Sequence, residues 1–315
     1  MGEVLSQGPI VFVINPRSAA GATLKRFERS RASFERALGA LDVRLTDGPR
    51  HATELVRIAL REGARTIVSV GGDGTNNEVV NGFFDDDGRA LSPEACLAFY
   101  VSGTGGDFRR TLSWGTEPEE ALARLVAGRT QVVDVGRVTL RAHDGSTIAR
   151  MFLNIASFGL SGAVDEVVNR SSKALGAKAS FMLGAVRAFA AYTPQRVRLT
   201  VDDRSEEHEI LLVAVANGQY FGGGMKIAPA AVLDDQRFDV VTVGGISTLR
   251  WVTTSPKVYT GAHIGQEGVH VTRAVRVVAE PVDKNERVLI DLDGEQPGIL
   301  PATFELRAAS LRIVA

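Results

Sequence analysis

Cysteine is nearly absent. Cys96 is the single one in 315 residues, which excludes an intrachain disulfide framework and a zinc site built on several thiolates, and suits a reducing compartment. Histidine is almost as sparse: His51, His143, His208, His263 and His270 lie scattered, without HExxH spacing, so a zinc hydrolase has no ligand set. No Gly-x-Ser-x-Gly elbow occurs either, which argues against a serine hydrolase. Apolar runs stay far below the roughly 18 residues that cross a bilayer, and the N-terminus lacks the basic segment and apolar core of an export signal. A cytoplasmic protein is expected. Charge of one sign is missing too: 36 basic against 37 acidic residues leave a net of -1, so nothing global points to nucleic acid as a partner.

What the chain does have is the composition of a soluble globular protein, 44% hydrophobic and 23% charged. Its length exceeds what one core usually organises, so two domains are expected. It is organised around Gly71-Gly72-Asp73-Gly74-Thr75, which follows the apolar Ile67-Val68-Ser69-Val70 and precedes the helix-compatible Val79-Val80-Asn81-Gly82. The three glycines predict backbone at positive φ that brings bare N–H groups against a ligand. A helix start behind them adds partial positive charge, which is how a chain holds phosphate. Asp73 reads as facing metal-bound phosphate or orienting the loop, an ordinary tight turn with a solvated aspartate being the alternative. The string is neither a GxxxxGK[ST] loop nor a GxGxxG fingerprint.

Apolar runs at 9–14, 43–46, 66–70 and 96–101 alternate with amphipathic helical patterns at 23–38 and 52–62. That order predicts a parallel sheet with its ligand at the carboxyl ends of the strands. A helix at 118–128 and a strand at 131–135 close a first domain, 1–134. In the second, 135–315, short β-rich runs at 136–140, 149–156, 197–201, 209–216, 238–243, 274–278, 288–292 and 302–306 predict an antiparallel sandwich. Apolar helices are expected at 178–192 and 247–259, the first packed on a core. Near the end stands an acidic turn, Asp291-Leu292-Asp293-Gly294-Glu295.

Gly71 to Thr75 as GGDGT, followed by Asn77-Glu78-Val79-Val80-Asn81-Gly82, resembles the nucleotide loop of the diacylglycerol kinase and sphingosine kinase catalytic-domain family, including its bacterial lipid kinases. Asn15-Pro16-Arg17-Ser18 with Gly21 resembles that family's NPxSGxG element, with Ala19 in place of a glycine. Thr104 and Asp107 match its GTxNDFAR loop, where Gly106 and Arg109 depart from the pattern. The resemblance implies an N-terminal Rossmann-like, NAD-kinase-like α/β domain that binds ATP through Asn15, Pro16, Arg17, Ser18, Thr46, Gly71, Gly72, Asp73, Gly74, Thr75, Glu78, Thr104 and Asp107. A C-terminal antiparallel β-sandwich domain would bind the acceptor. Asp134 matches a family aspartate near the domain junction.

In the second domain, Gly222-Gly223-Gly224-Met225-Lys226 and Val232-Leu233-Asp234-Asp235-Gln236-Arg237 resemble a landmark where some bacterial members hold Mg²⁺. Carried over, its ligands are the carbonyls of Val232 and Arg237 and the carboxylate of Asp235, with Gln236 replacing a glycine. Asp293-Gly294-Glu295 matches the family's DGE, whose carboxylates are proposed to activate the acceptor hydroxyl. Asp293, Glu295 and Asp73 are thus the implied catalytic residues, either of the first two serving as base. The expected function is an ATP- and Mg²⁺-dependent lipid kinase. Its partner would be a lipid met by peripheral contact at the inner face of the membrane, and a homodimer is compatible with this. A kinase of a soluble nucleotide or sugar, and a non-catalytic nucleotide-gated lipid-binding protein, are the alternatives.

Overall fold

A computed structural model describes residues 8–101, 106–164, 192–246 and 254–315. The first half alternates as expected: β1 (Ile10–Ile14), α1 (Ala22–Leu38), β2 (Asp42–Leu45), α2 (His51–Arg61), β3 (Thr66–Gly71), α3 (Asp73–Gly82), β4 (Cys96–Val101), then α4 (Asp107–Thr111) and α5 (Pro118–Ala127). β2, β1, β3 and β4 lie side by side, all parallel. β3 and β4 are buried along their whole length, so each reads as a continuous apolar run. On α1 the buried positions Thr23, Phe27, Ser30 and Phe34 follow the helical repeat. Phe27 and Phe34 pack against Phe12 of β1 and Tyr100 of β4 as a closed aromatic cluster.

The second half is antiparallel, from β5 (Thr130–Ala142) and β6 (Thr147–Phe152) through β7 (Ile155–Gly159), β8 (Gln195–Val201), β9 (Arg204–Ala216), β10 (Phe238–Gly244), β11 (Val269–Ala274), β12 (Arg276–Pro281) and β13 (Leu289–Leu292) to β14 (Glu295–Val314). Its core gathers Phe152, Phe158, Phe238 and Phe304 between the strands. Two long strands join the halves. β5 runs through position 135 without a break, so the two runs read at 131–135 and 136–140 are one strand. β14 pairs antiparallel with β5 and ends parallel to β4, with Arg312 opposite Cys96. Asp134 is buried at this junction, and its carboxylate accepts Gln236 N at 2.7 Å and Ala309 N at 2.6 Å.

The run at 149–156, expected as one strand, breaks at Leu153 and Asn154 into β6 and β7. The amides there turn away from the ladder toward the carboxylate of Asp293. Of the helix expected at 247–259, the described part is a 3₁₀ turn, Ser255–Thr260. The helix expected at 178–192 lies outside the described residues save for Tyr192, which is not helical.

Candidate active site

β3 delivers Gly71, and α3 starts at Asp73 behind Gly72, whose backbone is extended (φ -99°). None of Gly71, Gly72 and Gly74 has positive φ. The expectation of a left-handed turn is therefore corrected; these glycines answer to close approach. A Cβ on Gly71 would overlap the Thr75 side chain, and one on Gly74 would sit 2.9 Å from Glu295 Oε1.

The loop after β1 is tied to this helix start. Asn15 Nδ2 donates to Thr75 Oγ1 at 3.1 Å, while Asn15 Oδ1 accepts Arg17 N at 3.0 Å. Ser18, past Pro16 and the exposed Arg17, has its Oγ 3.8 Å from where a Gly72 Cβ would be. Ala19 and Ala20 both adopt the left-handed region, φ 50° and 54°, backbone that the family's glycine at position 19 takes without a steric penalty. Thr46 is buried and donates its N–H to Ile14 O at 2.9 Å, on the same strand edge. Glu78 lines the cleft beside Glu295 but is committed to backbone donors. Its two oxygens accept Arg50 N at 2.9 Å and Ala52 N at 3.2 Å, so it caps the start of α2. Thr104 lies outside the described residues.

Four carboxylates converge here from three parts of the chain. Asp73 Oδ2 accepts Gly106 N at 2.7 Å and Asp107 N at 3.4 Å, whereas its buried Oδ1 has no partner. Burial and then the charge of Asp107 push Asp73 up to about 6. Asp107 itself is committed: Arg110 Nη1 donates to it at 2.6 Å and Gly223 N at 2.7 Å. Gly223 of the second half is thereby tied to the start of α4 in the first.

Asp293 is more tightly held. Its backbone is left-handed, φ 50°, and its carboxylate accepts Asn77 Nδ2 at 3.0 Å and the amides of Leu153, Asn154 and Ile155 at 3.1, 3.2 and 2.9 Å. Those four donors favour the ionised form, yet desolvation outweighs them and the group is pushed up to about 6.

Glu295 differs from its neighbour two residues back. Its carboxylate accepts no hydrogen bond among the described residues, and it stands in a cleft of about 700 Å³. Desolvation by the cleft walls, followed by the charges of Glu78 and Asp293, pushes it up to about 7; Arg150 and Arg50 pull the other way. The residue is also open to solvent at the mouth of the cleft.

The one carboxylate carried over for Mg²⁺ is already engaged within the chain. Asp235 is ion-paired with Arg273 and also accepts Arg237 N at 3.2 Å. Val232 is exposed on the same loop. Gln236 takes a left-handed backbone, φ 62°, and Asp134 holds its N–H. Among the described residues no group of three His, Cys, Asp or Glu side chains is placed to hold a metal. The unpartnered Asp73 Oδ1 is a different matter: a buried carboxylate oxygen without a donor fits a hard cation that arrives with phosphates.

Sequence reasoning assigned no role to Asn77 and Asn81. Both donate to Met151 O, at 3.1 and 2.9 Å, and Asn81 Oδ1 accepts Met151 N at 2.9 Å. Their four-residue spacing on one helix face was the available signal. Arg50 and Arg150, which line the same cleft, left no signal in the sequence.

Residues 9–138 match the family model described as "Diacylglycerol kinase catalytic domain", and residues 154–315 match "YegS C-terminal NAD kinase beta sandwich-like domain". The chain is 28% identical over 294 residues to a diacylglycerol kinase of Bacillus subtilis (strain 168), covering 93% of this chain and 91% of that one. It is 29% identical over 293 residues to a Pseudomonas aeruginosa protein named "Probable lipid kinase YegS-like", covering 90% and 88%. A crystal structure of a diacylglycerol kinase from Bacillus anthracis str. Sterne superposes with a TM-score of 0.70 at 20% identity over 98% of this chain and 96% of that one, which shows the shared fold.

Proposed function

The chain belongs to the diacylglycerol kinase and YegS-like lipid kinase family and is an enzyme of the lipid-kinase class, and from that premise we propose that it transfers the γ-phosphate of ATP to the hydroxyl of a membrane lipid such as diacylglycerol or a sphingoid base. One observation carries the reading. The Asp293–Glu295 turn of the second half docks on the start of α3, with Asn77 bonded to Asp293 across 216 residues and Glu295 against Gly74.

Within that arrangement Glu295 is the base. It is the carboxylate without hydrogen-bond donors, and an acid near 7 takes a hydroxyl proton effectively at neutral pH. Asp293 has both oxygens occupied and serves to hold the turn. As the acceptor oxygen bonds to the γ-phosphorus and the bond to the β,γ-bridging oxygen breaks, the amides at the α3 start face the charge that develops. Asn15 and Thr75 fix that start in place. Mg²⁺ carried with the nucleotide would be met by Asp73 and would neutralise phosphate charge. No helix among the described residues is long and apolar enough to cross a membrane, and we infer that the lipid is met at the membrane surface.

The test is transfer of labelled γ-phosphate from ATP, with Mg²⁺, into lipids in mixed micelles, with Glu295→Ala and NAD as controls. Label entering one lipid class, and lost in the variant, is the expected result. Turnover of NAD with silence on every lipid would overturn the acceptor class.

A further inference from the structure

The cleft beside Glu295 is walled by the start of α2 on one side and by β6 on the other, and Arg50, Arg57, Arg137 and Arg150 line it. Two of the four have acidic partners: Arg57 pairs with Asp86 at 3.2 Å and Arg137 with Glu305 at 3.5 Å. The other two have none within 4.0 Å among the described residues. Arg150 Nη1 donates to the adjacent carbonyl, Ala149 O, at 2.9 Å. Arg50 is committed only through its backbone, whose N–H goes to Glu78 in a left-handed conformation, φ 66°. A non-glycine residue held there is strained, and such strain gathers at sites that position a side chain.

The electrostatics follow from that placement. Arg150 is half-buried, and burial first, then the charge of Arg50, push its guanidinium below the ordinary arginine value. Two like charges thus share one cleft. Glu54, Glu78, Asp85, Asp86 and Glu295 line the cleft as well, and none of them pairs with either guanidinium within 4.0 Å among the described residues. An anion between the two guanidinium groups would relieve their repulsion, and the planar fork of arginine matches phosphate oxygens in pairs.

We propose that Arg50 and Arg150 form a clamp for a phosphate group on the walls of the cleft next to Glu295. The phosphate belongs either to the nucleotide or to the phosphodiester of an acceptor lipid's headgroup. The assignment of Glu295 as base rests on the kinase reading; the clamp rests on the geometry of the cleft.

The experiment is calorimetric titration of the full chain with inorganic pyrophosphate. Arg50→Gln and Arg150→Gln are each expected to weaken binding by about 10-fold or more, the contribution of a charge-assisted contact, with Arg150→Lys intermediate. Thermal melts confirm that the variants are folded. Affinities within about 2-fold of the unaltered chain in both glutamine variants, or no binding by the unaltered chain, would overturn the clamp. A parallel loss of ADP affinity assigns the site to the nucleotide. Unchanged ADP affinity, with KM raised for phosphatidylglycerol but not for diacylglycerol, assigns it to the acceptor headgroup. Arginine-dependent pyrophosphate binding in a chain that labels no lipid would keep the clamp and remove the kinase reading, while lipid labelling with unaltered pyrophosphate affinity in the variants would do the reverse.

Discussion

The cleft at the start of α3 and the loop around Asp235 hold the same kind of side chain in opposite circumstances. Asp73, Asp293 and Glu295 gather at the start of α3, and none has a cationic hydrogen-bond partner among the described residues. Their contacts are amides, or for Glu295 open space, and all three are pushed upward. Asp235 is neutralised by Arg273. A carboxylate left without a cation in a desolvated site is costly to keep ionised, and groups kept that way mark chemistry. An aspartate paired with an arginine at the rim of a strand holds a loop.

Several substitutions would break or sharpen that contrast, and the largest effect belongs to Glu295. Glu295→Gln is expected to lower kcat by about 10²- to 10⁴-fold, the range for a lost general base. Its melting temperature should not fall, because no hydrogen bond is removed and the repulsion from Glu78 and Asp293 is relieved. Steady-state kinetics beside thermal melts measure both, and retained turnover would move the role of base to Asp293.

Asp293→Asn should lose activity and stability together. An amide cannot accept at both former oxygens, so it would point its own N–H at backbone donors, at a cost of about 1–3 kcal/mol in urea unfolding. The pH dependence has a definite sign. Asp293 lies near 6 when folded against an ordinary 3.8, so the folded chain binds the extra proton between those values. Its contribution to stability is therefore lost as pH rises from about 4 through 6. The unaltered chain should gain on the Asn variant as pH is lowered across that window, and parallel denaturation curves at pH 4.5 and 7 check it.

Gly74→Ala is expected to separate the two properties. A Cβ placed 2.9 Å from Glu295 Oε1 displaces the end of a flexible side chain. Turnover should fall by about 10-fold through misplacement of the base, while replacing a helical glycine with alanine raises stability by up to about 1 kcal/mol. The smallest change is expected at the other region. Asp235→Asn breaks a partly exposed ion pair, worth about 0–1 kcal/mol, and should leave kcat and its Mg²⁺ dependence within about 2-fold. A large loss there would reinstate the Asp235 loop as a metal site.

Much of the fold was legible before any coordinates. Strands alternating with helices up to β4, then β runs punctuated by turns, are local patterns of period 3.6 and 2 that short windows of sequence carry. Where reading failed, a distant partner had intervened. The run at 149–156 looks continuous because each of its residues suits a strand; it breaks because Asp293, about 140 residues away, takes the amides of Leu153 and Asn154. The glycines of the central loop invited a left-handed reading, which is the commonest use of glycine, whereas Glu295 and Thr75 require of two of them only that they have no side chain.

By itself, then, the sequence carried the residue types of the candidate site, since Gly71 to Thr75 and Asp293 to Glu295 are contiguous strings that can be read without their partners. Only the tertiary structure decided which carboxylates remain open and which are tied. Asp235 meets Arg273 38 residues away, and Asp293 meets Asn77 across 216. The first pair meets through the pairing of β10 with β11 and the second through the joining of the halves by β5 and β14, and no periodicity in the chain records whether the group that arrives beside a carboxylate is a cation, an amide or an empty cleft.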